Sequence, residues 1–193
     1  MSRRLLFCGV GALGSHAVTL CRTLPATIAL ADFDRVETKN LLSQAFTRQA
    51  VGKNKAEALR LQLRTFYGVE STAYPVRLTP QNIAQVAGDC DLLVDCLDNL
   101  AGRLVVLEHA RAAAVPSVHA GLAADATFGL VRWGERFTPD EEDEAGQATC
   151  EGGEHLPFIG LLASTLAGIV RDFVRDGVRR DALVTPAGVT TSP

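Results

Sequence analysis

No Cys-x-x-Cys pair occurs in the 193-residue chain, whose five cysteines stand at 8, 21, 90, 96 and 150 without regular spacing. A cysteine-based zinc site and a disulfide framework both lack their usual signature, so no zinc and a reducing, cytoplasmic setting are expected. Positive charge is not in excess either. Nineteen basic against 22 acidic residues leave a net charge of −3, which argues against a general nucleic-acid-binding face. Long hydrophobic runs are missing. Only Leu5 to Phe7 precede Cys8 as an apolar stretch, against about 7 residues for a signal-peptide core. The longest later stretch, Leu156 to Val170, has 15 residues, against about 20 for a membrane helix. No membrane segment is expected. Internal repeats and low-complexity tracts are absent too, and 47% hydrophobic residues with 8 prolines can fill a core, which excludes a disordered scaffold.

What is present is an alternation of strand and helix. Leu5 to Gly9 predicts a buried strand, followed by a glycine turn and a helix to about Leu24, stopped by Pro25. Thr27 to Ala31 predicts a second strand. From Lys53 a helix carries Ala56, Leu59, Leu63 and Phe66 on one stripe. Ser71 to Val76 reads as extended, Pro80 to Val86 as a short helix and Leu92 to Cys96 as a buried strand. Asn99 to Ala114 predicts a helix, Ser117 to Ala120 a strand, and Thr127 to Trp133 a strand of a different kind. Repeated strand–helix units with apolar strands predict an α/β, Rossmann-like, mainly parallel sheet with helices on both faces. The division expected is a nucleotide-binding core over 1–133, an acidic loop over 134–156 that contains Asp140 to Glu144 and Cys150, and 157–193 as a helix and loose tail of the same domain. That last helix, with Pro157 in its first turn, has an apolar surface wide enough for a core or a dimer interface.

Gly9-Val10-Gly11-Ala12-Leu13-Gly14 is G-x-G-x-x-G directly after a strand and opening a helix. Glycine lets backbone approach a phosphate, and the helix N-terminus supplies N–H groups and partial positive charge. Eighteen residues beyond Gly14, Asp32 ends the second strand, where a carboxylate accepts ribose hydroxyls. A bound nucleotide follows. Its identity is narrowed by Lys55 at a helix start, suited to neutralising a triphosphate. Asp98 lies just beyond a strand's carboxyl end, suited to Mg held with phosphates. Taken singly, Lys55 reads equally as a solvated helix residue and Asp98 as a helix cap.

The ordered set Gly9 to Gly14, Asp32-x-Asp34-x-Val36, Asn40-Leu41-x-x-Gln44, Gly52-x-x-Lys55-Ala56 and Asp95-x-x-Asp98-Asn99-x-x-x-Arg103 resembles the ThiF/MoeB/HesA family of ubiquitin-activating-enzyme-like adenylyltransferases. The resemblance runs over about residues 4 to 176, with Cys150, Pro157, Gly160, Ser164 and Ala167 in matching places after the acidic loop. It implies ATP- and Mg-dependent adenylation of a carboxylate, most often the C-terminal Gly-Gly of a small ubiquitin-like or sulfur-carrier protein, in other members a peptide or a modified tRNA base. By the resemblance, Gly11 and Ala12 lie along the nucleotide, Asp32 holds the ribose, Asn40 and Lys55 contact phosphates, and Asp98 holds Mg. Gly9, Gly14, Asp34, Gln44, Asn99 and Arg103 complete the implied nucleotide-binding set. Cys150 is either a nucleophile toward the acyl-adenylate or a thiol without chemistry. The implied assembly is a homodimer, or a heterodimer with a related chain.

Three departures accompany the resemblance. Ser43 stands where the family places a phosphate-binding arginine, and Lys39, Arg48 and Lys53 are the nearby cations that could replace it. Eight residues precede Gly9, without the family's N-terminal helical extension, and the paired Cys-x-x-Cys motifs are missing. A second reading is therefore a non-catalytic or partner-dependent nucleotide-binding subunit. A third, an NAD-linked oxidoreductase, leaves Asn40, Lys55 and Asp98 unexplained. His16, His109, His119 and His155 share no helix face with ligand spacing and read as packing or surface residues, and Trp133 as sheet-edge packing.

Overall fold

A computed structural model describes residues 2–123, 125–139 and 153–193. Strands β1 (Arg3–Cys8), β2 (Ala26–Ala31), β3 (Ser71–Tyr74), β4 (Leu92–Asp95) and β5 (Ser117–Leu122) pair in parallel. Beyond β5 the sheet continues antiparallel through β6 (Gly129–Trp133), β7 (Asp181–Thr185) and β8 (Gly188–Ser192). The spatial order is β3-β2-β1-β4-β5-β6-β7-β8. From β1 the chain moves first toward β2 and β3, then crosses back to β4. The two directions part at β1 and β4, and the crevice at their carboxyl ends is where open α/β sheets hold ligands.

The central strands carry the runs Leu5 to Cys8, Ile28 to Ala31 and Leu92 to Val94, buried and apolar at every position because both faces are covered. Leu5, Phe7, Ile28, Leu30, Leu92 and Val94 point into one core, shared with Val18 of α1 (Ala12–Cys21), Leu59 of α2 (Lys55–Tyr67) and Leu162 of α5 (Leu156–Asp176). The alternate residues Leu6, Cys8, Ala29, Ala31 and Leu93 point into the second core. Ile83 of α3 (Ile83–Ala87) and Val106 and Ala110 of α4 (Leu100–Ala113) cover that side. The period-two split of one strand between two cores is the physical content of the expected α/β class.

Helix α5 buries Phe158, Leu162, Leu166, Ile169, Val170 and Phe173 against α1 and the sheet. Among the described residues it alone is long and apolar enough to cross a bilayer by length and composition, and its buried face packs against α1 and the sheet.

Two expectations need correction. The chain after Asp176 is no loose tail. Residues 181–192 form the β7–β8 hairpin, turning at Pro186-Ala187. Ala182 and Val184 are buried while Leu183 is 41% exposed, so β7 has the alternation of a one-sided strand. Strand β8 is exposed throughout, which deprives it of any apolar period. Trp133 is not at a sheet edge. It is fully buried between β5 and β7, its indole N–H donates to the Arg180 carbonyl at 3.0 Å, and its ring lies 5.2 Å from that of Phe173.

Candidate functional site

The turn from β1 into α1 is closed by its own backbone. Gly9 has φ +83°, and a Cβ there would sit 3.0 Å from the Cys96 carbonyl oxygen at the end of β4. A Cβ on Gly14 would collide with the Gly9 carbonyl. Both glycines are thus demanded by packing, whatever binds. Gly11 differs: no atom lies within 4 Å of its would-be Cβ, and it caps α1 without a side-chain hydrogen bond. Beside it Ala12 opens the helix. A helix start with open space before it presents unpaired N–H groups to an anion.

Asp32, just past β2, ties this turn together. Its Oδ2 accepts the Val10 N–H and its Oδ1 the Asp34 N–H, each at 2.9 Å. The group is 8% exposed, and burial pushes its pKa up against the pull of those two N–H groups and of Lys55. Two of about four lone-pair positions remain for other donors, which suits ribose hydroxyls. Lys55, the first residue of α2, is also nearly buried, with its ammonium 3.4 Å from the half-exposed Asp34 carboxylate.

Asn54 was not among the residues singled out from sequence. Its amide donates to the Asp32 carbonyl at 2.8 Å and the Asp34 carbonyl at 3.1 Å, while its oxygen accepts the Glu57 N–H at 3.1 Å. One side chain therefore caps α2 and fastens it to the β2 loop, which fixes where Lys55 emerges. Its signal was legible: Asn followed three residues later by Glu before an apolar stripe marks a helix start.

Asn40 is 7% exposed, and its side-chain oxygen accepts the Glu37 N–H at 2.8 Å, closing a reciprocal cap on the 3-10 turn Thr38–Leu42. Next to it Ser43 is 2% exposed, and neither its hydroxyl nor the Gln44 Oε1 has a hydrogen-bond partner. The Ser43 carbonyl meets His16 Nε2 at 3.0 Å, and the Ala45 N–H donates to the Ser15 hydroxyl at 2.9 Å, pinning this segment to α1. Lys39, Arg48 and Lys53 are all exposed, and none of these three is held in the interior where Ser43 sits.

At the end of β4, Asp98 is exposed, with Asn99 Nδ2 3.4 Å from its Oδ1. Asn99 caps α4 by accepting the Gly102 N–H at 2.8 Å. Arg103 turns inward, donating to the Ala120 carbonyl at 3.0 Å and lying 3.5 Å from Asp95. Asp95 and His119, missed as a pair from sequence, are in contact through Oδ2 and Nδ1 at 2.8 Å. Among the described residues no group of three or more His, Cys, Asp or Glu side chains forms a metal cluster. A lone exposed carboxylate fits magnesium, which takes one or two protein carboxylates together with substrate phosphates and water. Cys150 and the acidic run Asp140 to Glu144 lie outside the described residues. The glycine turn, Asp32, Asp34 and Lys55 come together; Asp98 and Asn99 stand at the neighbouring strand end, and Arg103 faces the core.

The ThiF family matches residues 1–150. An adenylyltransferase and sulfurtransferase UBA4 of Meyerozyma guilliermondii is 30% identical over 174 residues, covering 85% of this chain and 41% of the relative. The sulfur carrier protein ThiS adenylyltransferase of Bacillus subtilis is 33% identical over 132 residues, 66% of this chain and 39% of that protein. The chain thus spans about two fifths of the length of these curated relatives. In fold it resembles the crystal structure of E. coli MccB with ATP, at TM-score 0.79 and 18% identity, over 98% of this chain and 62% of that one.

Proposed function

The chain belongs to the ThiF family, and from that premise we propose that it uses ATP to adenylate a carboxylate, the C-terminal Gly-Gly of a small ubiquitin-like or sulfur-carrier protein. The observation that carries this reading is the placement of the nearly buried Lys55 ammonium beside Asp34 and Asp32, at the carboxyl edge reached by the open Gly11 turn. The ThiF family match and relatives named as adenylyltransferases set the oxidoreductase reading aside. Relatives named as adenylyltransferases, one of them for a sulfur carrier protein, support the substrate class.

In the reaction proposed, a substrate carboxylate oxygen forms a bond to the α-phosphorus as the bond to the β-phosphate oxygen breaks and pyrophosphate leaves. No proton moves, so no general base is required. The α1 N-terminus and Lys55 face the growing negative charge, Asp32 fixes the ribose, and positioning with charge stabilisation supplies the acceleration. Magnesium, when bound, neutralises phosphate oxygens, and Asp98 is the side chain placed to hold it. Cys150 is then the candidate nucleophile toward the acyl-adenylate, its thiolate forming a thioester as the acyl–phosphate bond breaks and AMP leaves.

A second reading is favoured by one observation: the interior position of that turn holds Ser43, an uncharged hydroxyl without a hydrogen-bond partner, which cannot supply a guanidinium's two-pronged grip on phosphate. On that reading a partner chain completes the site. Mg-dependent ATP–pyrophosphate exchange, with and without a Gly-Gly partner, separates the two. Partner-dependent exchange abolished by Lys55→Ala and by Asp98→Ala is expected of the enzyme. ATP binding without exchange would sink the stand-alone enzyme and leave the binding subunit.

A further inference from the structure

Asp95 is wholly buried in a strand that is otherwise apolar, and its charge is met from three different elements. Oδ2 accepts the His119 Nδ1–H from β5 at 2.8 Å and lies 3.5 Å from the Arg103 guanidinium of α4. Oδ1 accepts the Leu97 N–H at 2.9 Å, one residue before Asp98. His119 is 1% exposed; its Nε2 meets the Ser117 hydroxyl at 3.0 Å, and its ring stacks on Phe137 at 4.1 Å and 7°. Phe137 is held in turn by Arg111 of α4, which donates to its carbonyl at 3.2 Å.

Stability does not explain such a cluster. Buried ion pairs replaced by apolar residues of similar volume are often neutral or stabilising. What the cluster does accomplish is geometric: it joins β5, the start of α4 and the Cys96–Asn99 turn through one carboxylate. We propose that His119 is a positioning residue for the Asp98 turn. By holding Asp95 against β5, it fixes the oxygen that grips the Leu97 amide, and so fixes the backbone that presents Asp98. The inference rests on the adenylation reading for its purpose, since Asp98 is there the group that meets Mg-ATP.

Two variants separate the parts of His119. His119→Phe keeps a planar ring against Phe137 and removes both hydrogen bonds, whereas His119→Asn keeps a donor at the δ position for Asp95 and removes the stacking ring. The readouts are hydrogen exchange of the Leu97 amide by NMR and the magnesium concentration that half-saturates ATP binding by calorimetry. Faster Leu97 exchange and an increase of about 10–100-fold in that magnesium concentration, the usual penalty for losing a supporting residue, are expected for His119→Phe. Recovery of most of both is expected for His119→Asn. An unchanged result for folded His119→Phe in either readout overturns the proposal. Should His119→Phe fail to fold, Phe137→Leu, which leaves every buried charge in place, is read in the same way; a smaller shift in both supports the proposal and no shift in either overturns it. Neither readout requires adenylation, so absence of pyrophosphate exchange in the unaltered protein would count against the function and leave this test standing.

Discussion

Gly11 and Gly14 are three residues apart, yet a methyl group added at each meets different surroundings. At Gly14 it would strike the Gly9 carbonyl, so Gly14→Ala is expected to cost about 1–3 kcal/mol in urea denaturation, the range of overpacked sites. At Gly11 it meets open space. Gly11→Ala should therefore cost about 1 kcal/mol or less and weaken ATP binding by about tenfold or more, equivalent to about 1.4 kcal/mol. Unimpaired calorimetric ATP binding by folded Gly11→Ala would mean that no ligand approaches that backbone. The thiols divide in a similar way. Burial raises Cys21 to about 12 and Cys90 to about 11, and pushes Cys8 and Cys96 up as well. Because the thiolate is the reacting species, these four should stay silent toward a disulfide reagent at neutral pH in the native protein. A fast-reacting thiol is then expected to be Cys150 and to vanish in Cys150→Ser. A fast thiol that persists in that variant would show that one of the other four is accessible.

At the scale of elements, α2 shows how much of the site a short segment can carry. The apolar stripe announced the helix from Lys53, while the structure starts it at Lys55 because Asn54 adopts extended backbone and serves as cap. Asn54→Ala removes that cap and two further hydrogen bonds to the β2 loop, an expected loss of about 2 kcal/mol. Since Lys55 is then no longer anchored relative to Asp34, ATP binding should weaken as well. Lost stability with intact ATP affinity would confine Asn54 to a capping role. The glycine turn, Asp32 and Lys55 were legible because each is a local pattern beside a strand or helix end. Asp95 and His119 were not. They lie 24 residues apart, and it is the β4–β5 pairing, with Asp95 opposite His119, that makes them neighbours. Arg103 likewise could be placed on a helix from sequence, but its turn toward Asp95 and the Ala120 carbonyl depends on what the sheet leaves buried.

For the molecule as a whole, β1, β2 and β4 announced themselves through buried apolar runs, whereas β7 and β8 hide behind residues exposed on one face or both. The hairpin of β7 and β8 joins the rest through Asp181, which is 1% exposed. Its carboxylate accepts the Trp133 N–H at 3.0 Å, with Arg136 at 2.9 Å and Arg132 at 3.1 Å. Asp181→Ala leaves two guanidinium groups beside an empty acceptor, and breaking such a buried pair costs about 3–5 kcal/mol. The arginines are 45% and 39% exposed, so water relieves part of that penalty and the lower end, about 3 kcal/mol, is the expectation. A loose tail would behave differently: surface substitutions away from packed features stay within about 0.5 kcal/mol. Trp133, the single tryptophan, reports the junction directly, because its fluorescence shifts when β6 leaves the interior. If sheet and hairpin unfold as one cooperative unit, the tryptophan transition and the far-UV circular dichroism transition coincide in urea, and Asp181→Ala moves both to lower urea together. Two separated transitions, or a midpoint unmoved by Asp181→Ala, would mean that the hairpin rests on the sheet without helping to hold it.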